Sequence, residues 1–133
     1  MDEAKLKGIL EKFIFKNHSE RLMKYGVCVI AVKMYGKVIE KIRSGKCPFC
    51  GKQLTIGGVK VHLRRGRTRC SVKFDEIVES VIRIYKDVKS RMVKTGKRGY
   101  NLYLSDWEKV KVSGIAEAVN KYFEYMGERK WMR

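Results

Sequence analysis

Residues 47–70 read CPFCGKQLTIGGVKVHLRRGRTRC, and this stretch sets the organisation of the whole chain. Cys47 and Cys50 form a Cys-x-x-Cys pair, a histidine follows after eleven residues, and a further cysteine follows after seven more. Three thiolates and one imidazole in so short a segment are the donor set of a tetrahedral structural zinc site. The sequence therefore predicts one zinc ion with these ligands: Cys47, Cys50, His62 and Cys70.

The predicted zinc ion is structural. A catalytic zinc keeps one coordination position open and usually has a carboxylate nearby to move protons. Here four protein ligands fill the coordination shell, and no Asp or Glu lies between residues 41 and 74. The chain also carries no evident Ser/His/Asp, paired-carboxylate or phosphate-loop constellation. We therefore expect a protein that is not an enzyme.

The chain has one further cysteine and one further histidine that could ligate a metal. Cys28 is an alternative ligand, but it lies in an apolar helical stretch and is more simply interpreted as a small buried hydrophobic residue. His18 lies in a predicted turn between helices and is interpreted as an ordinary surface histidine. Neither is expected to join the metal site.

The charge of the chain is high and unevenly distributed. The net charge is +17 and the pI is near 9.9. Residues 41–74 hold ten Lys/Arg and residues 88–105 hold five, with no Asp or Glu in either window. Because such a charge repels itself, it indicates a polyanionic partner.

The longest uninterrupted apolar run, residues 27–32, is too short to cross a bilayer, so we expect a cytoplasmic protein with no membrane partner. A reducing cytosol also favours a metal site over a disulfide for the cysteines.

The metal segment resembles a zinc finger of the two-cysteine, two-histidine type in which the last ligand is a cysteine. Gly51 and Lys52 follow the second cysteine as they often do in that family, and Leu54 and Val59 occupy its two core positions. The resemblance implies a hairpin knuckle at residues 47–50 followed by a short helix over residues 55–65. Single fingers in small basic proteins of hyperthermophile-like composition are similar to those carried by archaeal viruses and plasmids.

Two spacings depart from the family. The gap before His62 is one residue shorter than usual, and the gap from His62 to Cys70 is longer and contains Gly66. The helix should therefore end near Gly66, and a loop should carry Cys70 back to the metal. The family's base-reading positions fall on residues that offer almost no hydrogen-bonding capacity to a groove: Thr55, Gly57, Gly58 and Val61.

Basic residues flank these positions, and they are the expected contacts to phosphate, which position a protein without specifying sequence. A glycine-broken basic loop in the second window adds cations and a ring that can stack on bases, although Tyr100 and Tyr103 can equally pack into the core. The candidate nucleic-acid-binding residues are Lys60, Arg64, Arg65, Arg67, Arg69, Lys73, Lys94, Lys97, Arg98 and Tyr100.

The periodicity outside the metal segment is helical. Helices are predicted over residues 2–15, 20–43, from near Phe74 to about Met92, and from 113 or 114 to Met126, where Gly127 ends the last one. Residues 27–32 could instead form a strand, and residues 106–112 fit either a helix or a strand. The predicted fold is mainly α, a single helical domain over residues 1–133 with a small zinc-bound ββα finger inserted at residues 45–71.

The expected function is that of a zinc-stabilised, basic, nucleic-acid-binding protein, acting as a regulator or packaging factor. Duplex DNA is the favoured partner and RNA the first alternative. A second alternative is a protein-interaction module, such as an inhibitor of host machinery. If the protein is viral, the expected location is the host cytoplasm. The sequence leaves a homodimer open.

Overall fold

The computed structural model of the protein describes residues 2–16, 20–96 and 98–131, and these residues are mainly helical. Five α-helices, one short 3-10 helix and a three-stranded antiparallel sheet make up this part of the chain. In chain order they are α1 (Glu3–Ile14), the 3-10 helix (Glu20–Lys24), α2 (Gly26–Arg43), α3 (Ile56–Arg64), α4 (Arg69–Ser90), β1 (Met92–Lys94), β2 (Tyr100–Tyr103), β3 (Lys109–Val112) and α5 (Ile115–Trp131).

Helix α1 forms as its sequence predicts. The Asp2 carboxylate accepts a hydrogen bond from the Lys5 N–H at 2.8 Å and so caps the helix start. Its apolar residues recur at helical spacing and face the core: Leu6, Leu10, Phe13 and Ile14. Residue 18, which the sequence places in a turn between helices, lies outside the described residues.

The segment predicted as one helix from residue 20 is divided in two. The 3-10 helix ends at Lys24, and α2 then begins at Gly26 and has non-helical backbone angles at Tyr35. Residues 27–32 are helical, so the strand alternative is wrong. Only the first turns of α2 are enclosed on all sides, since Val32 and Met34 are exposed.

Helix α4 begins at Arg69, five residues before the predicted start near Phe74. The Thr68 hydroxyl accepts a hydrogen bond from the Ser71 N–H at 3.1 Å, while the Ser71 hydroxyl accepts one from the Thr68 N–H at 3.0 Å. This reciprocal cap satisfies free backbone donors at the helix start. Cys70 also lies four residues before Phe74 on the buried stripe, so the apolar pattern extends further back than expected.

The basic loop of the second window joins two strands that the sequence did not predict. Strand β2 is central and pairs with β1 and β3, with Leu102 opposite Met92 on one side and Val110 on the other. Residues 109–112 are a strand, as one of the two open alternatives held. The Ser105 hydroxyl accepts hydrogen bonds from the N–H groups of Trp107 and Glu108. Residues 105–108 therefore form a turn and do not start a helix.

The last helix does not end at Gly127. Helix α5 continues to Trp131. A glycine ends a helix when it adopts a left-handed conformation, and Gly127 is not among the positive-φ glycines. The prediction failed because glycine inside a helix costs only about 1 kcal/mol relative to alanine.

The long helix α4 lies at the centre of the core and packs against α1, α2, α3 and α5. Phe74 meets Phe15 with ring centroids 5.3 Å apart. Buried residues of the metal segment, including Val59 and Leu63 of α3, belong to the same apolar cluster as the other helices. The described helices include none with the length and apolar character of a membrane span.

One glycine position tests the close packing of α2 against α5. A Cβ added at Gly26 would lie 2.5 Å from Cγ1 of Ile115, whereas one added at Gly8 of α1 would meet nothing within 4 Å. We expect Gly26→Ala to lower the free energy of unfolding by about 1–3 kcal/mol through overpacking. Gly8→Ala should raise it by about 0.5–1 kcal/mol because alanine favours the helix. Urea denaturation measures both, and equal effects of the two changes would contradict the α2–α5 packing.

Candidate functional site

The four predicted metal ligands come together in the structure. The sulfur atoms of Cys47, Cys50 and Cys70 and a ring nitrogen of His62 all lie within 4.8 Å of one another. Within the cluster, Cys50 Sγ and His62 Nε2 lie 3.6 Å apart. A tetrahedral zinc with Zn–S bonds of about 2.3 Å sets its sulfur ligands about 3.8 Å apart. Small side-chain rotations therefore suffice for the cluster to hold a metal ion.

The first two ligands lie on a tight turn. The Cys47 N–H donates to the Lys52 carbonyl and the Gly51 N–H donates to the Cys47 carbonyl, each at 3.0 Å. Gly51 has φ +78°, a left-handed conformation that glycine adopts without cost. The predicted two-stranded hairpin is reduced to one isolated bridge between Lys46 and Gln53. The knuckle is thus held by the turn's own backbone.

Gly45 closes the base of this turn. It has φ +87°, and a Cβ at this position would collide with the Leu54 carbonyl oxygen. The Leu54 N–H donates to the Gly45 carbonyl at 2.6 Å. This close contact between the two ends of the turn sets where Cys47 and Cys50 lie relative to the start of α3.

Helix α3 supplies the imidazole. The Thr55 hydroxyl caps the helix by accepting from the Gly58 N–H at 3.0 Å. Val59 and Leu63 are fully buried against the core, which fixes the rotation of the helix about its axis. His62 precedes Leu63 and is half-buried, with its ring directed at the three cysteine sulfur atoms. Core packing therefore orients the histidine.

The fourth ligand comes from a helix and not from a loop. The predicted loop after α3 does return Cys70 to the other three ligands, but Cys70 itself is the second residue of α4 and does not belong to the loop. Helix α3 does end near Gly66, which has φ +63°. A short connection from Arg65 to Thr68 then reverses the chain, so the cluster joins the end of α3 to the start of α4.

The close approach of the three cysteine sulfur atoms favours a bound cation. Burial raises the pKa of the Cys70 thiol to about 11, and its neighbours Cys47 and Cys50 add to the shift. The Lys52 backbone N–H, by hydrogen bonding, holds the pKa of the Cys50 thiol below its usual value. Three thiolates this close repel one another in the absence of a counter-charge, and a divalent cation removes that repulsion. The donor set therefore fits a metal.

Cys28 takes no part in the cluster. It is fully buried inside the core at the start of α2, and burial raises the pKa of its thiol to about 12. This agrees with its interpretation as a small hydrophobic residue.

A basic surface is formed by six cations of the first window, which lie on α3, on the connection that follows it and on the first turns of α4. We call it the α3–α4 basic surface. Arg64 makes an ion pair with Glu11 of α1 at 3.6 Å. Within the described part of the chain, the other members of the surface make no ion pair. Its members are Lys60, Arg64, Arg65, Arg67, Arg69 and Lys73, of which Lys73 is half-buried and the rest are exposed.

The four base-reading positions behave differently from one another. The hydroxyl of Thr55 is used in capping α3, so it is not free to reach a base. Gly57 is exposed and Gly58 is half-buried. Val61 is 58% exposed between the cations of α3 and offers only methyl groups.

Residues of the second window gather at one end of the sheet. An open cleft of about 630 Å³ is lined by Lys94, Arg98 and Tyr100 together with Lys111 of β3. We call it the hairpin cleft. Tyr100 is half-buried, and Lys97 lies outside the described residues. Lys111 was not among the predicted binding residues, although the alternation of Lys109–Val112 is typical of a strand and places Lys111 on its polar face.

Comparison of the chain with protein-family models, with curated proteins and with solved structures finds no match. The interpretation of the site therefore depends on its own geometry.

The metal cluster can be tested by cysteine substitution. We expect purified protein to bind about one zinc ion per chain. Cys70→Ser should lose most of the zinc because it removes one of the four ligands. Structural zinc contributes on the order of 10 kcal/mol or more to the free energy of folding. Metal analysis of dialysed protein measures the stoichiometry. Cys28→Ala is the matched control and should retain the metal.

Hydrogen exchange before and after chelation locates the effect. Removal of the metal should raise exchange in α3 and in the first turns of α4 more than in α5. Equal metal loss from Cys28→Ala, or a wild-type protein without metal after reconstitution, would contradict the assignment.

Proposed function

We propose that this protein is a zinc-stabilised, non-enzymatic DNA-binding protein. Its α3–α4 basic surface contacts the phosphates of a duplex. The observation that carries the proposal is the cluster of exposed cations beside the candidate metal centre. Lys60, Arg65, Arg67 and Arg69 are exposed and, among the described residues, have no carboxylate partner.

The position of Arg69 at a helix start is unfavourable for stability, which supports a binding role. A helix N-terminus carries a partial positive charge and favours acidic residues in its first turn. The first turn of α4 contains no acidic residue and instead begins with Arg69, and α3 likewise lacks an acid there. A phosphate that approaches the start of α4 would meet both the helix dipole and the arginine side chains.

Zinc, the ion to which a Cys3His set is suited, would act on this surface by fixing its geometry. The ligands come from the turn after α2, from α3 and from the first turn of α4. A bound ion would therefore hold the cations of α3 and those of α4 at a constant separation. Preorganised contacts of this kind reduce the entropy lost on binding.

Contacts made by this surface would carry little sequence information. Phosphate contacts orient a protein on a duplex, whereas specificity requires donors or acceptors at the base edges. Thr55 is engaged in its cap, Gly57 has no side chain, and Val61 offers only a methyl contact. The protein would bind duplexes of different sequence with similar affinity.

Duplex DNA suits the surface better than duplex RNA. The major groove of B-DNA admits an α-helix, whereas the major groove of A-form RNA is deep and narrow. The exposed side of α3 combines cations with Val61 at its centre. A helix of this kind can lie along a wide groove with its cations on the two phosphate walls.

Salt dependence tests the phosphate contacts. If the protein neutralises roughly six to eight phosphates, log K should fall with log salt with a slope of about −5 to −7 on duplex DNA. Fluorescence anisotropy over a salt series measures the slope, with duplex RNA in parallel. An affinity that does not depend on salt would contradict the proposal, and equal or tighter binding to RNA would reassign the partner.

Charge-matched variants localise the contacts. Arg65→Ala/Arg67→Ala/Arg69→Ala should weaken binding to all duplex sequences alike and reduce the slope by about 2–3, close to one unit per lost contact. Lys5→Ala/Lys7→Ala/Lys33→Ala removes the same charge at positions outside the α3–α4 basic surface and the hairpin cleft. This control should change the slope by less than about 1. Equal slopes for the two triple variants would show that net charge alone drives binding.

A further inference from the structure

Within the described part of the chain, the three-stranded sheet has an outer face that no helix covers. Side chains alternate along each strand, and Leu102 and Val112 are buried on the face that packs against the helices. The residues of opposite parity form the other face, with Val93, Asn101 and Lys111 in one row and Tyr103 beside Lys109 in the next. We call these five residues the outer sheet face.

Large apolar and aromatic groups are exposed on and beside this face. Val93 is 51% exposed and Tyr103 is 37% exposed. Trp107 is 89% exposed in the turn from β2 to β3, directly beyond the Tyr103–Lys109 pair. The Ser105 hydroxyl and the Glu108 carbonyl hold this turn through hydrogen bonds to its backbone. An ordered turn that presents an indole to solvent indicates a binding role, since tryptophan is usually highly buried.

The charges around these rings favour a polyanion. Lys109 and Lys111 are exposed, and within the described residues neither makes an ion pair. Lys111 also lines the hairpin cleft with Lys94 and Arg98, so cations continue from the outer sheet face to the end of the sheet. The strand residues of the face include no acid. Asp106 and Glu108 are acidic, and they flank Trp107 in the turn.

We propose that the outer sheet face and Trp107 form a second binding site, and that its ligand is single-stranded nucleic acid. Unpaired bases expose the flat faces that stack on aromatic side chains, whereas a duplex hides them. Tyr103 and Trp107 supply the stacking surfaces, and the lysines of β3 supply the counter-charge.

The spacing of the lysines agrees with an extended strand. Lys109 and Lys111 are two residues apart on β3, which separates their Cα atoms by about 6.8 Å. The two lysine side chains can therefore contact successive phosphates of one strand, and the rings of Tyr103 and Trp107 provide the preference for unpaired bases. Asp106 and Glu108 repel phosphate from the turn, so Trp107 receives a base while the phosphates follow β3 toward the hairpin cleft.

This site is separate from the α3–α4 basic surface. Arg69 begins α4 and Ser90 ends it, and β1 follows at Met92. The 22 residues of α4 span about 33 Å, so the two surfaces lie at opposite ends of the helix. The proposed duplex site and the single-strand site can therefore fail or succeed independently.

Binding of a labelled oligothymidylate, followed by fluorescence anisotropy, tests the proposal. Trp107→Ala and Tyr103→Ala should each weaken binding by at least about fivefold, while Trp107→Phe and Tyr103→Phe keep the ring and should stay within about twofold. Met126→Ala removes an exposed apolar side chain outside the sheet and is the matched control. Duplex affinity should be unchanged in Trp107→Ala, and Arg65→Ala/Arg67→Ala/Arg69→Ala should retain the dependence on Trp107.

Tryptophan fluorescence provides a second readout. In a Trp131→Phe background, Trp107 is the remaining tryptophan, and its emission should be quenched by oligothymidylate but not by an abasic strand of equal length. Absence of quenching, or alanine variants that bind oligothymidylate as tightly as the wild type, would overturn the proposal. Equal binding of the abasic strand would also overturn it, because charge alone would then account for the affinity.

Discussion

The convergence of four donor side chains at the junction of α3 and α4 is the constraint on which the middle of this structure depends. Cys47 and Cys50 come from a tight turn, His62 from a nine-residue helix, and Cys70 from the start of the 22-residue helix α4. Three thiolates this close repel one another unless a cation neutralises their charge. Core residues such as Leu63 align the imidazole, so packing and ligand chemistry support the same geometry.

The distribution of charge is the second consequence of that geometry. A net charge of +17 destabilises a compact chain of this size through self-repulsion. The fold reduces some of this repulsion by pairing Arg64 with Glu11 and Arg91 with Asp87. It leaves the cations that follow α3 close together and without a carboxylate among the described residues. These exposed, closely spaced cations are the basis of the proposed function.

Helix α4 organises the remaining architecture. One of its ends carries Cys70 and the arginines of the α3–α4 basic surface, and its other end leads directly into the sheet. Near that second end, the Tyr122 hydroxyl donates to the Asp87 carboxylate at 3.0 Å, and Arg91 lies over the Tyr122 ring. These contacts tie α5 to the end of α4 and to β1. A helix of this length keeps the α3–α4 basic surface and the outer sheet face apart.

Local chemistry determined much of this protein. The spacing of Cys47, Cys50, His62 and Cys70 identified a cluster that the fold brings together, because ligand types and short loops constrain each other strongly. Helical periodicity likewise predicted α1 and most of α2, and the resemblance to a zinc finger implied α3. Element ends were less predictable, since Gly127 lies inside α5 and Cys70 lies inside α4. Only the tertiary structure decided the sheet, because the pairing of β1 with β2 joins strands too short to carry a periodic signal. It also decided that Lys111 joins the cations of the second window and that Trp107 is exposed, since burial depends on which elements pack together and not on local sequence.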